Sequence, residues 1–378
     1  MPLGKITYFT LSRHHLLDKA PRGKELEIIE DILGLNAQGA LNYNLSLWNR
    51  VEGLDREYIN SAILDRRLLR SWFMRNTVHI MPLGLAHIAR AALSDSLVSE
   101  WDRWTVKTGS KERPDSWERY YGGVLEALKG GPLSMSEILD EVEMGKDEKR
   151  LLHRVVREMS LKDLICNAAP RGPWYHDAEH TYADTSRWVP CMVRHDPGEA
   201  KEALLLKYLH GYGPASVQDF AYWTGMKATD AKQVLHEAKP VLAEVSAVGH
   251  RGKLYTLKED LSELEAAEPE SSLRLLPKFD ALIMGHRDKT RLMDEETRRH
   301  VFLPTAEVAA TVLVDGRAEG VWYIKRSGSI WGLDIRLFKQ MGGEAMELLQ
   351  KELDAMKSFT GFEIDVSIAN SDSATLNE

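Results

Sequence analysis

Apolar residues recur along this chain at helical spacing in long stretches and cluster in short β-prone runs elsewhere, which predicts an α+β protein. One pattern occurs twice in the middle. WERYYGGVLEALKGGPLSMSEILDEV is followed by KDEKRLLHRVVREM and SLKDLICNAAPRGPWYHDAEHTYAD; later, GEAKEALLLKYLHGYGPASVQDFAYWTGM is followed by KATDAKQVLHEAKPVLAEVSAVGHRGKLYTL. Each copy predicts a long helix, a Gly-Pro break, two further helices and a hairpin. The breaks align as Gly131-Pro132-Leu133-Ser134 and Gly213-Pro214-Ala215-Ser216. Ser134 stands three residues before Glu137, and Ser216 three before Asp219, the spacing of a reciprocal helix cap. Three helices and a hairpin make the winged-helix plan; a generic helical array is the alternative that the pattern leaves open.

The N-terminal region fits the same plan. ELEIIEDILGL carries Leu26, Ile29 and Leu33 at helical spacing. DREYINSAILDRRLL predicts a second helix with Ile59 and Ile63 on one face and Arg66 and Arg67 on another. Two β-prone runs then flank Met74-Arg75-Asn76, where Asn suits the left-handed backbone of a tight turn. From about residue 271 the character changes. LRLLPKFDALIMG and ATVLVDGRAEGVWYIKR are strand-like, the second with a hairpin signal at Asp315-Gly316, and a late amphipathic helix follows in MGGEAMELLQKELDAMKSF. The expected organisation is three winged-helix units, at 1–95, 96–195 and 196–268, and a β-rich domain with a closing helix at 269–378.

Composition narrows the class. Apolar residues are 43% and charged residues 28% of the 378, ordinary for a globular protein. No run approaches the ~18–20 apolar residues of a membrane span, and the N-terminus lacks a signal peptide's apolar core. Cys166 and Cys191 stand alone, which argues against a disulfide framework or zinc site and for a reducing cytoplasm. The formal net charge of −8 is unhelpful to DNA binding, which draws on Lys and Arg at phosphates. Charge is not uniform, however: residues 1–80 hold 11 Lys and Arg against 9 Asp and Glu, with arginines gathered between Arg66 and Arg75.

Common enzyme motifs such as a Walker loop, GxSxG or HExxH do not occur. His14 and His15 are adjacent, so they point apart and read as surface side chains. Asn36 and Gln38 are more informative: two carboxamides flank Ala37 directly after an apolar helix. They either cap that helix, with Gly34 and Gly39 beside them, or carry chemistry. Glu30 and Asp31 are close by and suit a helix surface. Thr77 and His79 would share one face of a strand, opposite Val78 and Ile80, with Arg75 at the preceding turn. Helical spacing puts Phe220 and Trp223 in a core rather than on a base-stacking platform.

Several segments, in order, resemble the crosslink-repair DNA glycosylase family of YcaQ and AlkZ: Gly34 to Gln38, Leu69 to His79, Gly213 to Gly225, Leu275 to Asp280 and Gly285 to Asp288. The resemblance implies tandem winged helices in a C-shape around DNA, followed by a small β-barrel-like domain. It implies excision of bulky or crosslinking N7-alkylated guanine without metal or cofactor. The family's Gln–apolar–Gln or Gln–apolar–Asp motif falls on Asn36 and Gln38, with Asn36 one methylene shorter than the family's Gln. The catalytic pair implied is therefore Asn36 and Gln38, holding a water at the anomeric carbon. Arg66, Arg67, Arg70, Arg75, Thr77 and His79 are the candidate DNA contacts, and the expected partner is double-stranded DNA with alkylated bases, bound by a monomer. A non-catalytic winged-helix DNA binder, a regulator or damage-recognition protein, is the alternative.

Overall fold

The computed structural model describes residues 1–107, 117–142, 149–176, 179–191, 193–250, 252–327 and 330–370. The internal repeat is visible in its helices. In the first copy these are Trp117–Ala127, Met135–Glu141 and Lys149–Leu161; in the second, Pro197–Tyr212, Val217–Thr224 and Ala228–Ala238. Ser134 and Ser216 each cap a helix reciprocally with Glu137 and Asp219. The residue before each cap also bridges to a tyrosine of its hairpin, Leu133 opposite Tyr182 and Ala215 opposite Tyr255.

The strands form three sheets. A six-stranded sheet has the order β1 (Leu35–Asn36), β3 (Val78–Pro82), β2 (Leu68–Trp72), β5 (Ile165–Asn167), β6 (Thr181–Asp184) and β4 (Leu133–Ser134). The hairpins of the first two helical regions thus share one sheet, joined where Arg70 pairs with Asn167. β7 (Leu242–Val245) and β8 (Leu254–Leu257) form a separate hairpin. The turn foreseen at Met74–Asn76 joins β2 and β3, with Arg75 and Asn76 both left-handed at φ 53° and 54°. Arg66 and Arg67 do not lie on the preceding helix, as the periodicity suggested: that helix spans Tyr58–Leu64, and Arg66 has φ 60° in the turn that follows.

The C-terminal part is not a barrel. β9 (Leu273–Leu276), β10 (Ala310–Val314), β11 (Arg317–Ser327), β12 (Ile330–Leu337) and β13 (Glu363–Asn370) form a five-stranded sheet whose end strands, β9 and β13, do not pair. β13 runs parallel to β12, reached through the Gly343–Thr360 helix, as a parallel connection requires. Both faces of this open sheet are covered. Val312, Trp322, Trp331 and Leu333 pack with Tyr43, Leu47 and Trp48 on one side. Leu313 and Val321 pack with Tyr8 and Leu11 of the Leu3–Arg13 helix on the other. The two ends of the chain therefore complete one another's cores.

His14 corrects another expectation. It is fully buried, edge-on to Tyr212 at 4.6 Å, and burial beside Arg50 holds its pKa well below the usual histidine range. The chain turns sharply after it, with His15 at φ 53°, so only His15 reaches the surface side to pair with Asp31 at 2.8 Å. Phe220 and Trp223 are buried, in line with the core reading of their spacing.

Candidate active site

The helix ahead of the carboxamides ends at Asp31, and Leu33 and Gly34 are left-handed. A β-carbon on Gly34 would lie 2.9 Å from Met81 Cγ and 3.2 Å from the Ile80 carbonyl, so glycine is required for β1 to dock on β3. Asn36 is therefore a strand residue and not the cap of that helix. Leu35 pairs with Ile80 and Asn36 with His79, and the Ala37 N–H donates to the Val78 carbonyl at 2.8 Å. Gly39, at φ 113°, turns the chain into the Ala40–Trp48 helix. Asn36 Oδ1 accepts the Gln38 backbone N–H at 3.2 Å, and the Gln38 carbonyl accepts Asn42 Nδ2 at 3.0 Å. The Gln38 side chain is exposed and Asn36 is half-buried.

Register decides the neighbours. Directly paired residues share a face, so Asn36, His79 and Ser71 form one row, and Leu35, Ile80 and Arg70 project from the other face. His79 is 4% exposed, and its Nδ1 lies 3.0 Å from the Thr77 carbonyl, which assigns the proton to Nδ1. Burial, with Arg75 nearby, lowers its pKa to about 3. His79 therefore sits beside Asn36 as a neutral ring.

Arg70 does not face solvent. At 2% exposure it donates from Nη2 to the Ala37 carbonyl at 3.3 Å and from Nη1 to His180 Nδ1 at 2.8 Å. It grips the middle residue of the Asn36–Gln38 triplet. Arg75 packs over the Tyr222 ring at 5.4 Å, and its Cα lies 3.3 Å from where a β-carbon on Gly225 would be. The hairpin tip thus docks on the Val217–Thr224 helix. Thr77 Oγ1 donates to the Met74 carbonyl inside the turn. Arg66 and Arg67 are exposed, Arg66 over the Trp188 ring and Arg67 bonded to Tyr58 and Asp65. Among the six candidate contacts, the sheet brings only His79 directly beside Asn36.

Sequence spacing missed what fixes the triplet's helix. Arg50 and Asp280, both 0% exposed, form an ion pair with distances of 2.8 and 2.9 Å, and Ser46 Oγ donates to the same carboxylate at 2.8 Å. Asn49 Nδ2 donates to the Leu275 carbonyl and Asn44 Nδ2 to the Trp174 carbonyl. The partners lie 130 to 234 positions away, so no local pattern announces them. Glu30 pairs with Lys207 and Asp31 with His15, so each has a cationic or imidazole partner apart from the triplet.

The family described as "DNA glycosylase AlkZ-like" matches residues 29–359, most of the chain and all of this site. The chain belongs to the AlkZ-like DNA glycosylase family. An interstrand DNA cross-link repair glycosylase of Streptomyces sahachiroi is 26% identical over 320 residues, 79% of this chain and 81% of that protein. The solved structure of the Streptomyces sahachiroi DNA glycosylase AlkZ superposes with a TM-score of 0.80 at 22% identity, covering 98% of this chain and 100% of that one. This AlkZ-like protein shares that fold as a whole. Among its described residues, no helix is long and apolar enough to cross a membrane.

Proposed function

We propose that this protein excises bulky or crosslinking N7-alkylated guanine from duplex DNA by hydrolysis, as a monofunctional glycosylase acting as a monomer. The helix-and-hairpin units serve as winged helices in a C-shaped arrangement around the duplex. Alkylation at N7 makes the base cationic. When its bond to the anomeric carbon breaks, the electron pair neutralises the departing purine, so little general-acid help is needed. Water then adds to an oxocarbenium-like sugar, and the protonated adduct gives its extra proton to bulk water. The site must hold that water in place, and a carboxamide oxygen can accept its hydrogen bond. In this reading Gln38 supplies an acceptor from solvent, Asn36 the second, and neutral His79 borders them. Exposed Arg66 and Arg67 meet phosphates, while Arg70, Arg75 and Thr77 shape the site from within the protein.

The observation that carries the reading is the placement of Asn36 in register with His79 and two residues before exposed Gln38. Base release from DNA containing N7-methylguanine, and from a crosslinked duplex, tests it. Gln38→Ala is expected to lose about 100-fold in rate, the scale of a misplaced reacting group. No release by the unaltered protein from any alkyl adduct, beside a working positive control, rejects it.

One observation favours a non-catalytic DNA binder: Asn36 Oδ1 is already engaged by the Gln38 N–H. Asn36→Gln discriminates. Activity appearing only in that variant assigns the natural protein to binding.

A further inference from the structure

A pocket of about 210 Å³ begins where the triplet ends. Gly39, Leu41 and Asn42 line it together with Tyr175, Lys278 and the Trp322–Ile324 stretch. Three distant regions therefore meet there: the start of the Ala40–Trp48 helix, the segment after β5, and the C-terminal sheet with the loop beyond β9. The walls are held in place. Tyr175 makes edge contacts with Trp174, Trp331 and Phe362 at 5.5, 5.8 and 5.0 Å. Trp322 Nε1 donates to the Leu276 carbonyl at 2.9 Å. The Arg50–Asp280 pair fixes the helix against the same loop. Lys278 is paired with Glu307, so the one cationic wall is locally neutralised and its alkyl stem remains as lining.

We infer that this pocket receives an uncharged planar group carried on N7 of the lesion, and so sets selectivity for the size and shape of the adduct. The inference rests on the glycosylase reading for its substrate. It adds a subsite built jointly by the triplet's helix and the C-terminal sheet. The pocket exceeds the ~150 Å³ that accommodates benzene in an apolar cavity, so a single aromatic ring fits. The lining mixes aromatic and aliphatic side chains with polar atoms, which suits the faces and the edge of a planar ring, and a locally neutral wall gives no preference for a charged one. A larger cleft of about 800 Å³, lined by Lys19, Glu52, Arg274 and Glu352, lies at the Trp48 end of the same helix. It is about 13 Å of helix away from Gly39 and is lined by charge of both signs.

The test uses duplexes with one N7-methylguanine or one N7-benzylguanine, and the full-length protein with Leu41→Trp or Ile324→Trp, which enlarge lining residues contributed by the helix and by the sheet respectively. Release and equilibrium binding are measured on both duplexes. In each variant the ratio of benzyl to methyl release is expected to fall at least about tenfold, within the range that shape discrimination by a pocket supplies. Equal losses on both duplexes, or an unchanged ratio in both variants, overturn the proposal, as does a natural protein that releases methyl but not benzyl adducts. If the natural protein releases neither, the glycosylase reading fails and binding decides the pocket. A preference for the benzylated duplex that both variants abolish sustains the pocket, and equal binding of the two duplexes overturns it.

Discussion

Asp280 is the point at which the link between the C-terminal sheet and the triplet can be tested most directly. Its carboxylate accepts from both terminal nitrogens of Arg50, from Ser46 Oγ and from the Leu282 N–H, with no exposure of either charged side chain. Asp280→Leu leaves the Arg50 guanidinium buried without its counter-charge. Removing one member of a buried pair costs about 3–5 kcal/mol, because the remaining charge is uncompensated. Loss of the Asp280 cap on the Ala281–Met284 turn adds about 1 kcal/mol. Replacing both charges, as in Arg50→Met with Asp280→Leu, should cost less than either single change, since an apolar pair has no charge to strand. Urea denaturation followed by tryptophan fluorescence and far-ultraviolet circular dichroism reads the difference, provided that both probes coincide and the m-value is unchanged. A single variant within about 1 kcal/mol of the natural protein, or single costs that simply add in the double variant, would refute the reasoning. The same cycle assayed for base release reports whether loosening the helix reaches Gln38.

Three further outcomes follow from the site's surroundings. Arg70→Met removes the donor to the Ala37 carbonyl, and kcat for base release should fall about 10- to 100-fold with KM little changed; a pure KM effect would return Arg70 to the DNA contacts. Gly34→Val combines a positive φ with a collision against Met81, so a loss of at least about 1–3 kcal/mol is expected in the same denaturation assay, and a neutral result would mean that β1 does not need this turn. His79 titrates near pH 3 when folded but near 6.5 when unfolded, so below pH 6.5 the unfolded chain binds the extra proton. Stability is thus retained above pH 6.5 and lost from there toward pH 3, at up to about 1.4 kcal/mol per pH unit from this residue. His79→Gln should flatten that slope by one proton, and an unchanged slope would show that His79 does not titrate as its burial dictates.

Much of the local structure was legible because it is set by neighbours along the chain. Ser134 and Ser216 cap their helices, Asp315-Gly316 turns β10 into β11 with both residues left-handed, and Met74–Asn76 closes the β2–β3 hairpin. The family likeness placed weight on Asn36 and Gln38, and their segment does form a short strand and a turn into a helix. Arg66 and Arg67 left the predicted helix for a local reason, the left-handed turn after Leu64, whereas two other readings failed through distant partners. Arg70 looked like a phosphate contact among neighbouring arginines, but strand pairing turns it inward to Ala37 and to His180, 110 positions away. His14 looked like a surface side chain, yet Tyr212 encloses it.

The sequence by itself determined where the repeat's helices and their caps fall, the tight turns and the family, because periodicity and turn chemistry act over a few residues. Tertiary structure alone decided that the C-terminal sheet is open and lies between helices, because its faces are buried by residues far off in the chain: the Leu3–Arg13 helix on one side, the Ala40–Trp48 and Gly343–Thr360 helices on the other. It also decided that Asn36 faces His79, because strand register assigns side chains to faces, and that assignment depends on which residue of a distant strand lies opposite.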